Sequence, residues 1–355
     1  MKMPKILKII FKYALLAVGL FVIVFIALSL IPLKQTIKPI TPRADTQYWQ
    51  MAGGYRIAYT KLSSPFLTSN PPVIFLHGGP GGYVHSSIIA RMREISLAGF
   101  DVYLYDQIGS GLSDRLEKPK DYSFDLHLAN LQEIVTKHIH ADRVILIGQS
   151  FGSLLAAHFA AVNSQFVHKM VLTSPGDLQP LLTAPDGRSH DIADLYPTPD
   201  SLKFRDPISV WDEIEGMYIN PRIIMASVCA MIFNIKWAPD LEMDGLVNAM
   251  ASKFTQGLVC NPANVLPEEG GGGGYAHAFS NWYADITDPR ERIKSVSVRV
   301  LVMQGQCDQA PYGTAYEYAD LFRGRYEFIE NAGHEIWWDQ PDIFVNAIRE
   351  YLLSD

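Results

Sequence analysis

Three polar residues, far apart in the chain, have the types and local settings of one catalytic unit. Ser150 stands in Gly148-Gln149-Ser150-Phe151-Gly152, which fits Gly-x-Ser-x-Gly. The apolar run Val144-Ile145-Leu146-Ile147 leads straight into it, and small and apolar residues from Leu154 to Val162 follow. This pattern predicts a strand, a sharp turn and a helix, with the glycines letting crowded backbone pass. Such a turn exposes the hydroxyl at a helix N-terminus, where developing negative charge is favoured. A serine hydroxyl is a poor nucleophile by itself and needs a base. Two later turns, Gly305-Gln306-Cys307-Asp308 and Asn331-Ala332-Gly333-His334, each follow an apolar run. In the order serine, carboxylate, histidine, His334 is the base and Asp308 the acid that orients it. The chemistry is attack on an amide or ester carbonyl through an acyl-enzyme.

That attack leaves an oxyanion that needs donors. His77-Gly78-Gly79-Pro80-Gly81-Gly82 follows the apolar run Val73-Ile74-Phe75-Leu76, and its glycines let backbone N–H groups face a substrate oxygen. The hole is assigned to the N–H groups of Gly79 and Phe151, each able to lower the barrier by about 2.7–4 kcal/mol. The three cysteines show no metal-ligand spacing, and the mechanism needs neither a metal nor an organic cofactor.

Alternating elements must position these residues. Tyr48 to Tyr59, broken at Gly53-Gly54, reads as a hairpin, and Asp101–Asp106, Met170–Leu172, Val298–Met303 and Tyr326–Ile329 read as further strands. Helical patterns lie between them, as in Phe124–His138. Strands alternating with helices predict a mostly parallel sheet with helices on both faces, and with the serine turn and triad order the reading is an α/β-hydrolase fold. The core is expected over residues 47–176 and 286–355. Between them, residues 177–285 lose the alternation and read as an inserted helical lid over the sheet edge. Their run Gly270–Gly274 reads as a mobile loop rather than a phosphate loop, since it follows no strand and has no lysine-serine pair.

Composition narrows the function further. The chain has 355 residues, 48% of them hydrophobic and 19% charged, enough for a sizeable core. Residues 1–43 carry seven basic residues and no acid, so the rest holds 23 basic against 37 acidic residues, a net of −14. A body that acidic is a poor partner for nucleic acid. Tyr13 to Leu33 are 21 uncharged positions, about 31 Å as a helix and long enough to cross a membrane. A cleaved signal peptide is the alternative. An uncleaved anchor over residues 13–33 is favoured, because the apolar run is long and no Ala-x-Ala-like site follows. The basic excess before the run puts that end in the cytoplasm and the catalytic body on the other side. Residues 1–46 are thus anchor and tether. Cys229 and Cys260 could pair in an oxidising compartment, or be isolated buried thiols. Nothing in the residues fixes an oligomeric state.

Taken together, His77–Gly82, Asp106-Gln107-Ile108-Gly109-Ser110-Gly111-Leu112-Ser113, the Ser150 turn, Asp308 and His334 resemble the prolyl aminopeptidase (proline iminopeptidase) family of α/β-hydrolases. The resemblance covers roughly residues 47–355, and the lid matches in position and length. Ile108 stands where the family commonly has Arg, and Gln149 and Phe151 also differ from common choices. The resemblance implies release of an N-terminal residue, often proline, from a short peptide. A carboxylesterase or lipase with the same triad is the alternative, so the partner is a small peptide or an ester. An aminopeptidase must pair the substrate ammonium with a carboxylate, because an unpaired buried cation is costly. The resemblance points to lid glutamates. Asp212, Glu213, Glu215, Glu242 and Asp244 are candidates, with Glu213 and Glu215 first because Trp211, Ile214 and Tyr218 adjoin them.

Overall fold

The computed structural model describes residues 4–181, 191–210, 214, 216–217, 219–280, 283 and 286–354. One sheet of eight strands runs in the order β1-β2-β4-β3-β5-β6-β7-β8. The strands are β1 (Thr46–Gln50), β2 (Arg56–Leu62), β3 (Val73–Leu76), β4 (Val102–Tyr105), β5 (Val144–Gln149), β6 (Val167–Thr173), β7 (Arg299–Gly305) and β8 (Arg325–Ile329). The β1–β2 and β2–β4 pairs are antiparallel, and every pairing from β4 to β8 is parallel. The longer helices among the described residues are α1 (Lys5–Ser29), α2 (Ser86–Leu97), α3 (Phe124–Glu133), α4 (Phe151–Asn163), α5 (Pro221–Phe233), α6 (Asp240–Phe254), α7 (Tyr312–Phe322) and α8 (Pro341–Leu353).

The apolar strands are explained by what covers them. Successive side chains point to opposite faces. Ile74, Leu76, Leu146, Met170, Leu172 and Val302 pack with α3, α4 and α7 on one face. The residues between them, among them Phe75, Ile147, Val171 and Leu301, pack with α2 and α8 on the other. A sheet buried on both faces needs apolar residues at consecutive positions.

The glycine run departs from its expectation. Residues 270–274 are buried rather than mobile. Gly273 N–H donates to Gly81 O at 2.8 Å, Gly111 N–H to Gly271 O at 2.6 Å, and Gly272 N–H to Asn248 Oδ1 at 2.7 Å. A Cβ on Gly273 would lie 1.8 Å from Gly109 O, and one on Gly271 would lie 2.3 Å from the Tyr83 ring. The run is therefore a seam in which backbone touches backbone, and only glycine fits it. Gly273→Ala is expected to destabilise the fold by about 1–3 kcal/mol or more through overpacking, read as a lower unfolding midpoint. An unchanged midpoint would show that the seam yields.

The cysteine expectation is also corrected. Cys260 is bonded to Cys307, with Cα atoms 5.3 Å apart, and Cys229 is free and half-buried on α5. The pairing is tertiary. The loop after α6 crosses the turn at the end of β7, although 47 residues separate the two sulfurs.

Helix α1 is exposed along nearly its whole length and is long and apolar enough to cross a membrane. The segment after it is held to residues between β6 and β7. Leu33 N–H donates to Glu242 Oε1 at 3.0 Å, Gln35 Nε2 to Leu241 O at 2.8 Å, and Ile40 N–H to Gly270 O at 3.0 Å.

Candidate active site

Ser150 sits between β5 and α4 with φ 52° and ψ −117°. A positive φ is strained for any residue with a Cβ, and observed strain of this kind gathers at functional sites. The flanking glycines make the turn possible. A Cβ on Gly152 would lie 2.0 Å from Leu76 O, and one on Gly148 2.5 Å from Gly152 O. Ser150 N–H donates to Thr173 O at 3.0 Å, which ties the turn to the end of β6.

Asp308 and His334 lie beyond the ends of β7 and β8. Their turns are stitched together, with Gln306 N–H donating to Ile329 O at 2.9 Å and Cys307 N–H to Ala332 O at 2.8 Å. His334 Nδ1 is 2.9 Å from Asp308 Oδ1, the other carboxylate oxygen is buried without a partner, and Ala310 N–H donates to Oδ1 at 3.1 Å. Burial pulls the imidazole towards neutrality. The charge and hydrogen bond of Asp308, with the charge of Glu335, outweigh it, so His334 titrates above its ordinary 6.5. Asp339 is engaged elsewhere, accepting from Gly333 N–H at 2.9 Å and Cys260 N–H at 2.7 Å.

Ser150, His334 and Gly79 line one cavity of about 410 Å³. The glycine-rich turn after β3 is braced from behind. Gln107 N–H donates to His77 Nε2 at 2.8 Å, so the proton of that imidazole is on Nδ1, which donates to Gly78 O at 2.8 Å. Asp106 accepts from Val84 N–H at 2.8 Å and Leu112 N–H at 2.9 Å. The His77–Gly82 and Asp106–Ser113 motifs are thus one packed unit. Gly78 touches the serine turn, since a Cβ there would meet Ser150 Cβ at 3.1 Å. Phe151 opens α4 directly after the serine.

The acids between β6 and β7 divide. Asp212, Glu213 and Glu215 lie outside the described residues. Glu242 is spent on Arg222, at 2.7 Å to Nε and 2.7 Å to Nη2. Asp244 is spent on Arg115 at 3.0 Å and on Gly274 N–H at 2.7 Å. Neither of these two lines the cavity, whereas Glu268 and Glu335 do. Glu268 accepts from Tyr83 Oη at 2.6 Å. Glu335 accepts from Gln149 Nε2 at 3.4 Å through Oε1, and its Oε2 is buried without a partner. Burial, reinforced by Asp308 and opposed by His334, pushes the Glu335 carboxyl up to about 7. His277 also lines the cavity, and its Nδ1–H donates to Pro80 O at 2.7 Å. The sequence reading missed Glu268, Glu335 and His277. A signal existed for Glu335, the carboxylate next in sequence to His334.

Known proteins resemble this chain in sequence and fold. A family model described as alpha/beta hydrolase fold matches residues 71–210. The proline iminopeptidase of Saccharolobus solfataricus is 26% identical over 288 residues, covering 80% of this chain and 85% of that protein. Among solved structures, an esterase from Exiguobacterium antarcticum superposes with a TM-score of 0.57 at 18% identity, covering 87% of this chain and 99% of that one. The proline iminopeptidase of Mycobacterium smegmatis gives 0.54 at 19%, covering 86% and 97%. Those two likenesses show the fold. The chain has the α/β-hydrolase fold, and in sequence it resembles the proline iminopeptidases.

Proposed function

We propose that the chain is a serine aminopeptidase that releases an N-terminal residue of proline type from short peptides. Ser150 attacks the scissile carbonyl while His334 takes its proton, and Asp308 holds the imidazole tautomer and stabilises its charge. The N–H groups of Gly79 and Phe151 receive the oxyanion. His334 then protonates the leaving amine, and water repeats the cycle on the acyl-enzyme. What supports these roles is the strained serine turn facing the same cavity as the histidine of a His–Asp pair.

The preference for an amino terminus is carried by one observation. Glu335 lines the cavity beside Ser150, and its Oε2 is buried with no partner of its own. A substrate ammonium would give it one, and a buried charge is tolerated when paired. The test compares a free proline arylamide with its N-acetyl form. The blocked substrate is expected to lose kcat/KM by about 10³-fold or more, because it leaves that carboxylate unmatched. Equal cleavage of both, or preference for a simple ester, would replace this reading with the esterase one.

A pH profile tests the coupling of the two acidic groups to the base. The acid limb of kcat/KM reports deprotonation of His334 and, at about 7, of Glu335 in the free enzyme. Nearby negative charge raises the pKa of an imidazole, so removing it lowers that pKa. Glu335→Gln is therefore expected to move the limb to lower pH. A limb that stays in place would show that Glu335 does not act on His334.

On the same reading, residues 1–46 are the membrane anchor and its tether, 47–176 with 286–355 the core, and 177–285 the lid. Ala251, Phe254, Thr255 and Leu258 line the cavity from the lid side. The body then lies on the non-cytoplasmic side of a membrane that α1 crosses. The Cys260–Cys307 disulfide supports this, since such bonds persist in oxidising compartments.

A further inference from the structure

Helix α5 carries two faces of different character. Arg222, Ile223, Ala226 and Ala230 are buried, the three apolar ones in a cluster with Ile108, Tyr122, Met243 and Tyr275. On the opposite side Ile224, Val228, Met231 and Ile232 are exposed, spaced i, i+4, i+7 and i+8, and Ile235 just past the helix end is exposed with them. Ile232 keeps 65% of its surface and Met231 62%. An exposed apolar stripe of this kind along one helix face marks a surface that meets something apolar.

The position of α5 identifies what it meets. Ser29, the last residue of α1, is fixed to the neighbourhood of α5: its carbonyl accepts from Arg222 Nη1 at 3.0 Å and from Trp237 Nε1 at 3.1 Å. Helix α1 packs against α5 there. The helix from Tyr13 to Ser29 is about 26 Å long, short of a hydrocarbon core of about 30 Å. The uncharged run continues through Leu30, Ile31 and Leu33 to Lys34, with Leu30 and Ile31 exposed. If α1 spans, its far end and the residues after it lie at the hydrocarbon boundary. A helix packed against that end is then within one helix width, about 10–12 Å, of the same boundary.

We propose that the exposed stripe of α5 is a second membrane contact, lying in the surface of the bilayer that α1 crosses. The anchor would fix the lid, and not only the N-terminus, at the membrane. Helices that lie in an interface bury their apolar face about 5–10 Å below the headgroups. The proposal rests on the reading of α1 as an anchor.

The test uses the full chain in phosphatidylcholine vesicles, with Cys229→Ser so that no native thiol is free. A nitrobenzoxadiazole label is placed at Ile232→Cys on α5, at Phe21→Cys on α1, or at Leu67→Cys in an exposed loop of the body. Val228→Cys gives an independent position on α5. The label on α5 is expected to shift to the blue and to be quenched more by lipids spin-labelled near the headgroup than by those labelled at the chain end. The label on α1 should show the opposite depth preference, and the Leu67 label no lipid quenching. If Phe21 is quenched and both α5 positions behave like Leu67, the docking is overturned and the anchor stands. If Phe21 also escapes quenching, the anchor reading falls and the proposal with it. If the α5 labels are shielded from lipid and from aqueous iodide alike, a second copy of the chain covers the stripe, and the proposal is overturned.

Discussion

Replacing Ser150 by alanine is expected to remove nearly all turnover, a fall in kcat of about 10⁶-fold where chemistry limits the wild-type rate. The hydroxyl is the proposed nucleophile, and no neighbouring group replaces it. The backbone supplies the reason why the protein should remain folded. Ser150 adopts φ 52° with a side chain already attached, and alanine carries the same Cβ with one atom fewer. Gly148, Gly152 and the Ser150 N–H bond to Thr173 O are untouched by the change. A residual rate of about 10³–10⁴ over water should persist, because binding and the oxyanion donors remain. The measurement is single-turnover and steady-state cleavage of a proline arylamide, beside a thermal melt of the same sample. Near-normal activity in a folded Ser150→Ala protein would refute the nucleophile.

Asp308→Asn is expected to cut kcat by about 10⁴-fold with little change in volume. His334 Nδ1–H donates to Asp308 Oδ1 at 2.9 Å, which leaves Nε2 as the unprotonated nitrogen of the neutral ring. An asparagine can turn its NH₂ towards Nδ1 and so favour the tautomer in which Nε2 carries the proton and accepts none. The loss of charge has a second, separable consequence. Asp308 is the main group holding His334 above 6.5, so the acid limb of the pH profile should move to lower pH in whatever activity remains. Asp339 supplies the control. Its carboxylate accepts from Gly333 N–H, Cys260 N–H and Asn264 Nδ2, so Asp339→Asn should act only through the position of the histidine turn. If it proves the more damaging change, the acid is misassigned.

The local parts of this molecule were legible in the residues. β3, β5, β6 and β7 are buried on both faces, and that burial writes itself as unbroken apolar runs. The serine turn is equally local. Its backbone crowding is relieved by Gly148 and Gly152, which lie within two residues of the strain they relieve, so a five-residue pattern carries the whole geometry. Asp308 and His334 were found because parallel strands deliver the turns at their C-terminal ends to one edge of the sheet, whatever the sequence distance.

Contacts between distant segments were decided only by the tertiary structure. The five glycines from 270 to 274 looked like slack, because composition cannot distinguish a glycine chosen for freedom from one chosen for close approach. Gly109, Gly81 and Asn248 press on that run from at least 22 residues away in sequence. Cys260 could have met either of two thiols, and the crossing of two loops chose Cys307. The same holds for the acids. Glu242 and Asp244 promised a pocket, but Arg222 and Arg115 neutralise them outside it. Glu335 lines the cavity, and one of its oxygens is buried and unspent. A carboxylate's identity is fixed by the sequence, but its availability is fixed by which cation or N–H the fold brings within 3 Å of it, and that is a property of the packed chain.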